Sequence, residues 1–147
     1  MGEVNRKLSR IVDRLVDKKF ALGKQECESV EPEKGLDCLN SLYYIYKHLG
    51  FDFPIEWKGY NVSNYAERWN KSNCREDFAE FLQTLGREID PHYRLAGDLM
   101  LFEGKEIPMF PAIYLGNGKM LMIFKQGVRV VPYKFFNNCL KSCRRLV

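Results

Sequence analysis

Apolar residues recur at helical spacing at the start of the chain, where Val4, Leu8, Ile11, Val12, Leu15 and Val16 stand between Lys, Arg and Asp. The spacing predicts an amphipathic helix over about residues 3–19, with its apolar stripe turned to a core. A polar stretch, residues 23–35, carries Pro32 and reads as a loop. Asp37 then stands as an N-cap before Leu39, Leu42, Tyr43, Tyr46 and Leu49, which share one helical face until Gly50 stops the run. After a turn at residues 51–54, a short helix is expected around residues 65–69 and a clearer one over residues 73–85. In the latter, Asn73 and Glu76 have capping-box spacing, Phe78, Phe81, Leu82 and Leu85 form the stripe, and Gly86 is the stop.

Beyond Pro91 the pattern changes. Residues 98–102, 112–115, 119–124 and 128–131 are short apolar runs separated by Gly, Pro and Asn, the signature of strands. Asn117-Gly118 between two of them is a two-residue hairpin signal. The tail, residues 133–147, holds Lys134, Lys141, Arg144 and Arg145 and fits either a last strand or a short basic helix. Helices first and an antiparallel sheet second is an α+β layout. A single domain over residues 1–147 is expected, helical over about 1–90 and sheet over about 91–147, with four or five strands.

Composition narrows the class. The 147 residues are 46% hydrophobic, 14% aromatic and 29% charged, which suits an ordinary globular protein with a core of its own. The net charge of +4 suits contact with polyanions such as wall polymers but is too small to argue for nucleic acid. No run reaches the roughly 18 apolar residues of a membrane span. Charges interrupt residues 1–20 where a signal peptide needs an apolar stretch, so a cytoplasmic or particle-associated protein is expected. The five cysteines, Cys27, Cys38, Cys74, Cys139 and Cys143, form no C-x-x-C pair and indicate free thiols. Cys139 and Cys143 stand at i, i+4, but two ligands do not make a metal site, and no cofactor is implied.

Cys38 is the candidate for chemistry. At the first turn of a helix its thiolate would face unpaired backbone N–H groups, which predicts a pKa lowered toward neutrality, with Asp37 opposing. A small buried hydrophobe is the competing reading. The stretch GLDCLNSLYYIYKHLG, residues 35–50, resembles the nucleophile motif of the NlpC-type papain-like cysteine peptidases. Residues 20–23, FALG, are similar to the aromatic and Gly-containing segment upstream of that motif. RLAGDLMLF, residues 94–102, is similar to the family's Pro-Gly-Asp-Leu strand with Ala96 for Pro, and AIYLGNGKMLMIF, residues 112–124, to its following hairpin. The resemblance implies a papain-like fold and hydrolysis of peptidoglycan or a related amide. Phage-tail and gene-transfer-agent versions are the most similar in character, which implies partners in a tail tip.

The resemblance places the family's general base, a His, at Phe110 and its orienting residue near Met122, so two of three catalytic positions are apolar. A thiolate without an acid to protonate the leaving amine forgoes roughly 10²–10⁴-fold of rate. Two histidines exist. His48 lies ten residues beyond Cys38, about 15 Å along the same helix. His92 precedes the Gly97-Asp98 strand, at the end away from Phe110, and reads as a solvated loop residue. Glu103 and Glu106, in the loop between two strands, are candidate acids but read first as solvated charges, and Tyr43 and Tyr114 as packing residues. Two functions stay open: a catalytically silenced structural or wall-binding module, and an active hydrolase or acyltransferase using Cys38. Residues 51–87, longer than the pattern requires, are expected to cap one side of the cleft.

Overall fold

The structure is a computed structural model that describes residues 2–21, 30–54, 56–57, 60–61, 74–105 and 109–147. Among the described residues, three helices pack on one face of a six-stranded antiparallel sheet, an α+β fold. Helix α1 spans Gly2–Leu15 and buries Leu8, Ile11 and Leu15. It ends earlier than the apolar periodicity predicts. Asp17 turns the backbone to φ +66°, and Asp17 N–H donates to the Val128 carbonyl while Val128 N–H donates to the Lys18 carbonyl, both at 2.9 Å. Those bonds lead the chain along a sheet edge, which a longer helix would forbid.

Helix α2, Cys38–His48, is capped by Asp37 as expected. Helix α3, Cys74–Thr84, turns Phe78, Phe81 and Leu82 inward, and Gly86 follows at φ +56°. The expected helix at residues 65–69, the cap at Asn73, and Cys27 lie outside the described residues. Two residues each form β1, Glu56–Trp57, and β2, Tyr60–Asn61, which pair antiparallel as a small separate sheet.

The main sheet contains β3 (Arg87–Ile89), β4 (Leu99–Phe102), β5 (Phe110–Gly116), β6 (Lys119–Phe124), β7 (Gly127–Pro132) and β8 (Leu140–Arg145), in the order β3-β8-β4-β5-β6-β7. Six strands replace the four or five expected, because the charged segment Arg87–Ile89 pairs with the tail, which is a strand. The sheet therefore begins before residue 91. Asn117 and Gly118, at φ +53° and +73°, make the tight turn between β5 and β6.

Alternation along the strands divides the core into two clusters. Leu99, Leu101, Ile113 and Leu121 face the helices and join Leu8, Leu15, Leu42, Tyr46, Phe53 and Phe81. Met100, Phe102, Ala112, Tyr114, Met120 and Met122 form a second cluster, against which Tyr133 and Phe136 from the β7–β8 connection pack. Tyr46 stacks with Phe53 at 6.1 Å between centroids, and Phe81 meets Phe53 edge-on at 5.8 Å. The described part of residues 51–87 thus completes the first cluster.

Asp98 ties these parts together. Its carboxylate accepts from Arg145 Nε at 2.9 Å and Nη2 at 2.8 Å, and from Leu95 N–H at 2.7 Å. Next to it, Tyr46 Oη donates to the Gly97 carbonyl at 2.9 Å. The Asp98 and Arg145 side chains are 3% and 20% exposed, so loss of one partner strands a poorly hydrated charge. Asp98→Ala is expected to cost about 3 kcal/mol and Tyr46→Phe about 1–2 kcal/mol. Urea unfolding checks both as lowered midpoints at an unchanged slope.

Candidate functional site

The segment entering α2 is built by a close approach. Gly35 sits at φ +105°, and a Cβ there would lie 2.5 Å from the Ala21 Cβ. Without a side chain at 35, Leu36 can bridge Phe20 in parallel, with Leu36 N–H donating to the Lys19 carbonyl at 2.9 Å and Ala21 N–H to the Leu36 carbonyl at 3.0 Å. Leu36 is fully buried. Asp37 and Asn40 then exchange two bonds of 2.8 Å, each side chain accepting from the other's backbone N–H. This capping box fixes the first turn of α2 and delivers Cys38 at its first position.

Cys38 is half-buried against the first core cluster. Burial, and then the adjacent Asp37 carboxylate, push its thiol up to about 12. The expectation of a lowered pKa is corrected here: removing a charged sulfur from water costs more than the helix terminus returns.

Phe110 and Met122 come together on the second cluster. Phe110 stacks on Phe102 at 5.5 Å and meets Phe136 edge-on at 6.2 Å. Both histidines are exposed and bonded locally. His48 Nδ1–H donates to the Tyr44 carbonyl at 2.8 Å, and His92 Nδ1–H donates to Asp90 Oδ1 at 2.9 Å. His92 stands on the segment leading to Gly97, which Tyr46 contacts about two turns along α2 from Cys38. Glu103 is exposed and pairs with Lys141 at 3.4 Å, while Glu106 lies outside the described residues. Tyr43 packs edge-on against Phe53 at 6.2 Å, and Tyr114 accepts from Gly118 N–H at 3.0 Å.

Sequence reasoning did not find Asn40 as the partner of Asp37, although the Asp-x-x-Asn spacing carries the signal. It also did not find the Asp98–Arg145 pair, whose members are 47 residues apart. Among the described residues, no group of three or more His, Cys, Asp or Glu is placed to hold a metal ion, and no helix is long and apolar enough to cross a membrane.

The family model for the NlpC/P60 family matches residues 17–141. The chain belongs to the NlpC/P60 family. Solved NlpC/P60 structures share its fold. The P60 domain of an antigen from M. avium paratuberculosis is 19% identical at a TM-score of 0.63, covering 99% of this chain and 95% of that one. RipD from Mycobacterium tuberculosis, described as a non-catalytic NlpC/p60 domain protein adapted to peptidoglycan binding, is 19% identical at 0.59, covering 98% of both chains. The NlpC/p60 domain of the peptidoglycan hydrolase SagA is 17% identical at 0.60, covering 95% of both. By contrast, the chain spans 46% and 44% of NlpC2 and NlpC1 from Trichomonas vaginalis. No curated protein sequence matches the chain. The family thus includes a peptidoglycan hydrolase and a non-catalytic peptidoglycan-binding protein.

The Cys38 thiol is expected to alkylate more slowly than the exposed Cys139 at pH 7–8, and its rate to keep rising with pH beyond 10. Peptide mapping after timed iodoacetamide treatment checks this; a Cys38 plateau below pH 8 would contradict it. The sign for stability follows from a folded-state pKa above the unfolded one. The contribution is complete below about 9 and is lost as pH rises toward 12.

Proposed function

We propose that this NlpC/P60 domain is non-hydrolytic and binds peptidoglycan, as part of the tail tip of a phage or phage-like particle. One observation carries the reading: the chain has two histidines, His48 ten residues along α2 from Cys38 and His92 on the exposed turn before β4, and neither hydrogen-bonds the Cys38 thiol. A protonated thiol with no general base neither attacks an amide efficiently nor assists its leaving amine. The family positions of the base and its orienting residue fall at Phe110 and Met122, whose own side chains can transfer no proton. Binding needs none of these groups, and RipD supplies a precedent within the fold for that use. The net charge of +4 favours anionic wall polymers. The placement in a tail tip rests on likeness to phage-tail versions, including the aromatic and basic stretch over residues 133–147.

A second reading, hydrolysis or acyl transfer through Cys38, is favoured by one feature, the thiol's position at a well-capped helix N-terminus. Co-sedimentation with insoluble peptidoglycan, followed by analysis of the supernatant for released peptides, separates the two. The proposal expects the protein to pellet with the wall, the Cys38→Ser variant to pellet within about twofold of the parent, and neither to release soluble fragments. Fragments released by the parent and absent with Cys38→Ser would establish the hydrolase. Failure of the parent to pellet would remove the binding role, and a particle lacking the protein in stoichiometric amount would remove the tail role.

A further inference from the structure

We infer that the β7–β8 connection, on the sheet face away from the helices, makes the contact to the wall's glycan strand, with the Phe135 ring as a platform for one N-acetylated pyranose. The inference rests on the peptidoglycan-binding reading and assigns that binding to a surface apart from Cys38.

Phe135 is an aromatic side chain held out in water by a fixed support. Residues Tyr133–Phe135 and Asn137–Cys139 form two successive tight helical turns. Tyr133 N–H donates to the Gly118 carbonyl at 2.8 Å and Glu103 N–H donates to the Cys139 carbonyl at 2.8 Å, so both ends of the connection are tied to the sheet. Between those ends Phe136 turns inward, its ring 6.0 Å from Phe102, 6.2 Å from Phe110 and 6.5 Å from Phe124. Tyr133 also turns inward, 6.5 Å from Phe102 and 6.3 Å from Tyr114. Phe135 is 68% exposed, and among the described residues it meets no other ring. A ring already fixed where it binds loses little freedom on association.

The neighbours of the ring select its partner. Lys134, Asn137 and Asn138 are exposed on the same connection, and among the described residues none of their side chains has a partner. An apolar protein surface or a bilayer interior laid over Phe135 would strip water from two amides and an ammonium without replacing its hydrogen bonds. A sugar offers both kinds of surface. The axial C–H bonds of a β-linked pyranose carry slight positive charge and lie against the negative face of an aromatic ring. Hydroxyl and acetamido groups at the sugar's rim exchange hydrogen bonds with amides and accept them from an ammonium. Scale points the same way, since one isolated ring matches one sugar, whereas a stable protein interface buries at least about 1,000 Å². The other large exposed apolar side chains among the described residues, Tyr93, Leu95, Val130 and Val147, lie outside this connection.

The connection packs against the second cluster and Cys38 against the first, across the sheet. Glycan on Phe135 therefore does not touch the thiol.

Backbone amide NMR of the full chain titrated with chitotetraose, a soluble oligomer of β-linked N-acetylglucosamine, tests the contact alongside co-sedimentation with insoluble peptidoglycan. Saturable shifts are expected at residues 133–138 and none at residues 36–40. Phe135→Ala should weaken both interactions at least about tenfold. Phe135→Leu, which keeps apolar bulk and loses the π face, should weaken them nearly as much, and Phe135→Trp should match or exceed the parent. Asn137→Ala combined with Asn138→Ala is expected to cost about fivefold. These positions are exposed, so the melting temperature should hold in every variant. A parent that pellets with the wall while Phe135→Ala pellets equally would overturn the inference and leave the binding role standing; a parent that neither pellets nor shifts would remove both. Binding by Phe135→Leu equal to the parent, or Phe135-dependent sedimentation with phosphatidylglycerol vesicles and no chitotetraose shift, would assign the ring to an apolar partner and also overturn it.

Discussion

The buried carboxylate of Asp98 is the point on which the arrangement turns. It stands at the start of β4, accepts from Arg145 on β8 and from the Leu95 N–H, and its own carbonyl accepts from the Tyr114 N–H of β5 at 2.9 Å. Three strands and the segment before β4 are therefore fixed relative to one group. Gly97, its neighbour, receives the hydroxyl of Tyr46, and through that bond the axis of α2 is set against the sheet. The environment of Cys38 at one end of α2 inherits its geometry from this knot. Its strength comes from low hydration: a carboxylate 3% exposed must keep its partners or be destabilised by their loss.

A sheet with two covered faces shapes the chemistry. Side chains alternate across it, so residues a single step apart in β5 belong to different interiors. Phe110 contributes to the aromatic cluster with Phe102 and Phe136, where its ring is useful as volume. Cys38 packs, partly buried, against the other interior.

Much of the fold was legible in the sequence because its signals are local. Asp37 before an apolar stripe, Gly50 after it, and Asn117-Gly118 between two apolar runs each determine backbone geometry within a few residues. Strands β3 and β8 were harder, since Arg87–Ile89 and Leu140–Arg145 carry charges and reveal themselves only by pairing across more than 50 residues. The early end of α1 is of the same kind: Val16 continues the apolar period, but the edge of β7 claims Asp17 and Lys18. The position of Cys38 was readable and its protonation was not. A helix terminus can be inferred from a cap, whereas desolvation depends on which distant side chains close over the sulfur.

The contact between Gly35 and Ala21 bears on how such sequences are sorted. The glycine, the apolar residue and the aspartate ahead of the cysteine each have a steric or hydrogen-bonding duty in starting α2: clearance for the passing strand, burial against it, and closure of the cap. None of those duties involves a reacting atom. A run of letters chosen as the mark of a nucleophile is thus kept by any descendant that keeps the helix, and inventories built on that run will count silent domains among working enzymes.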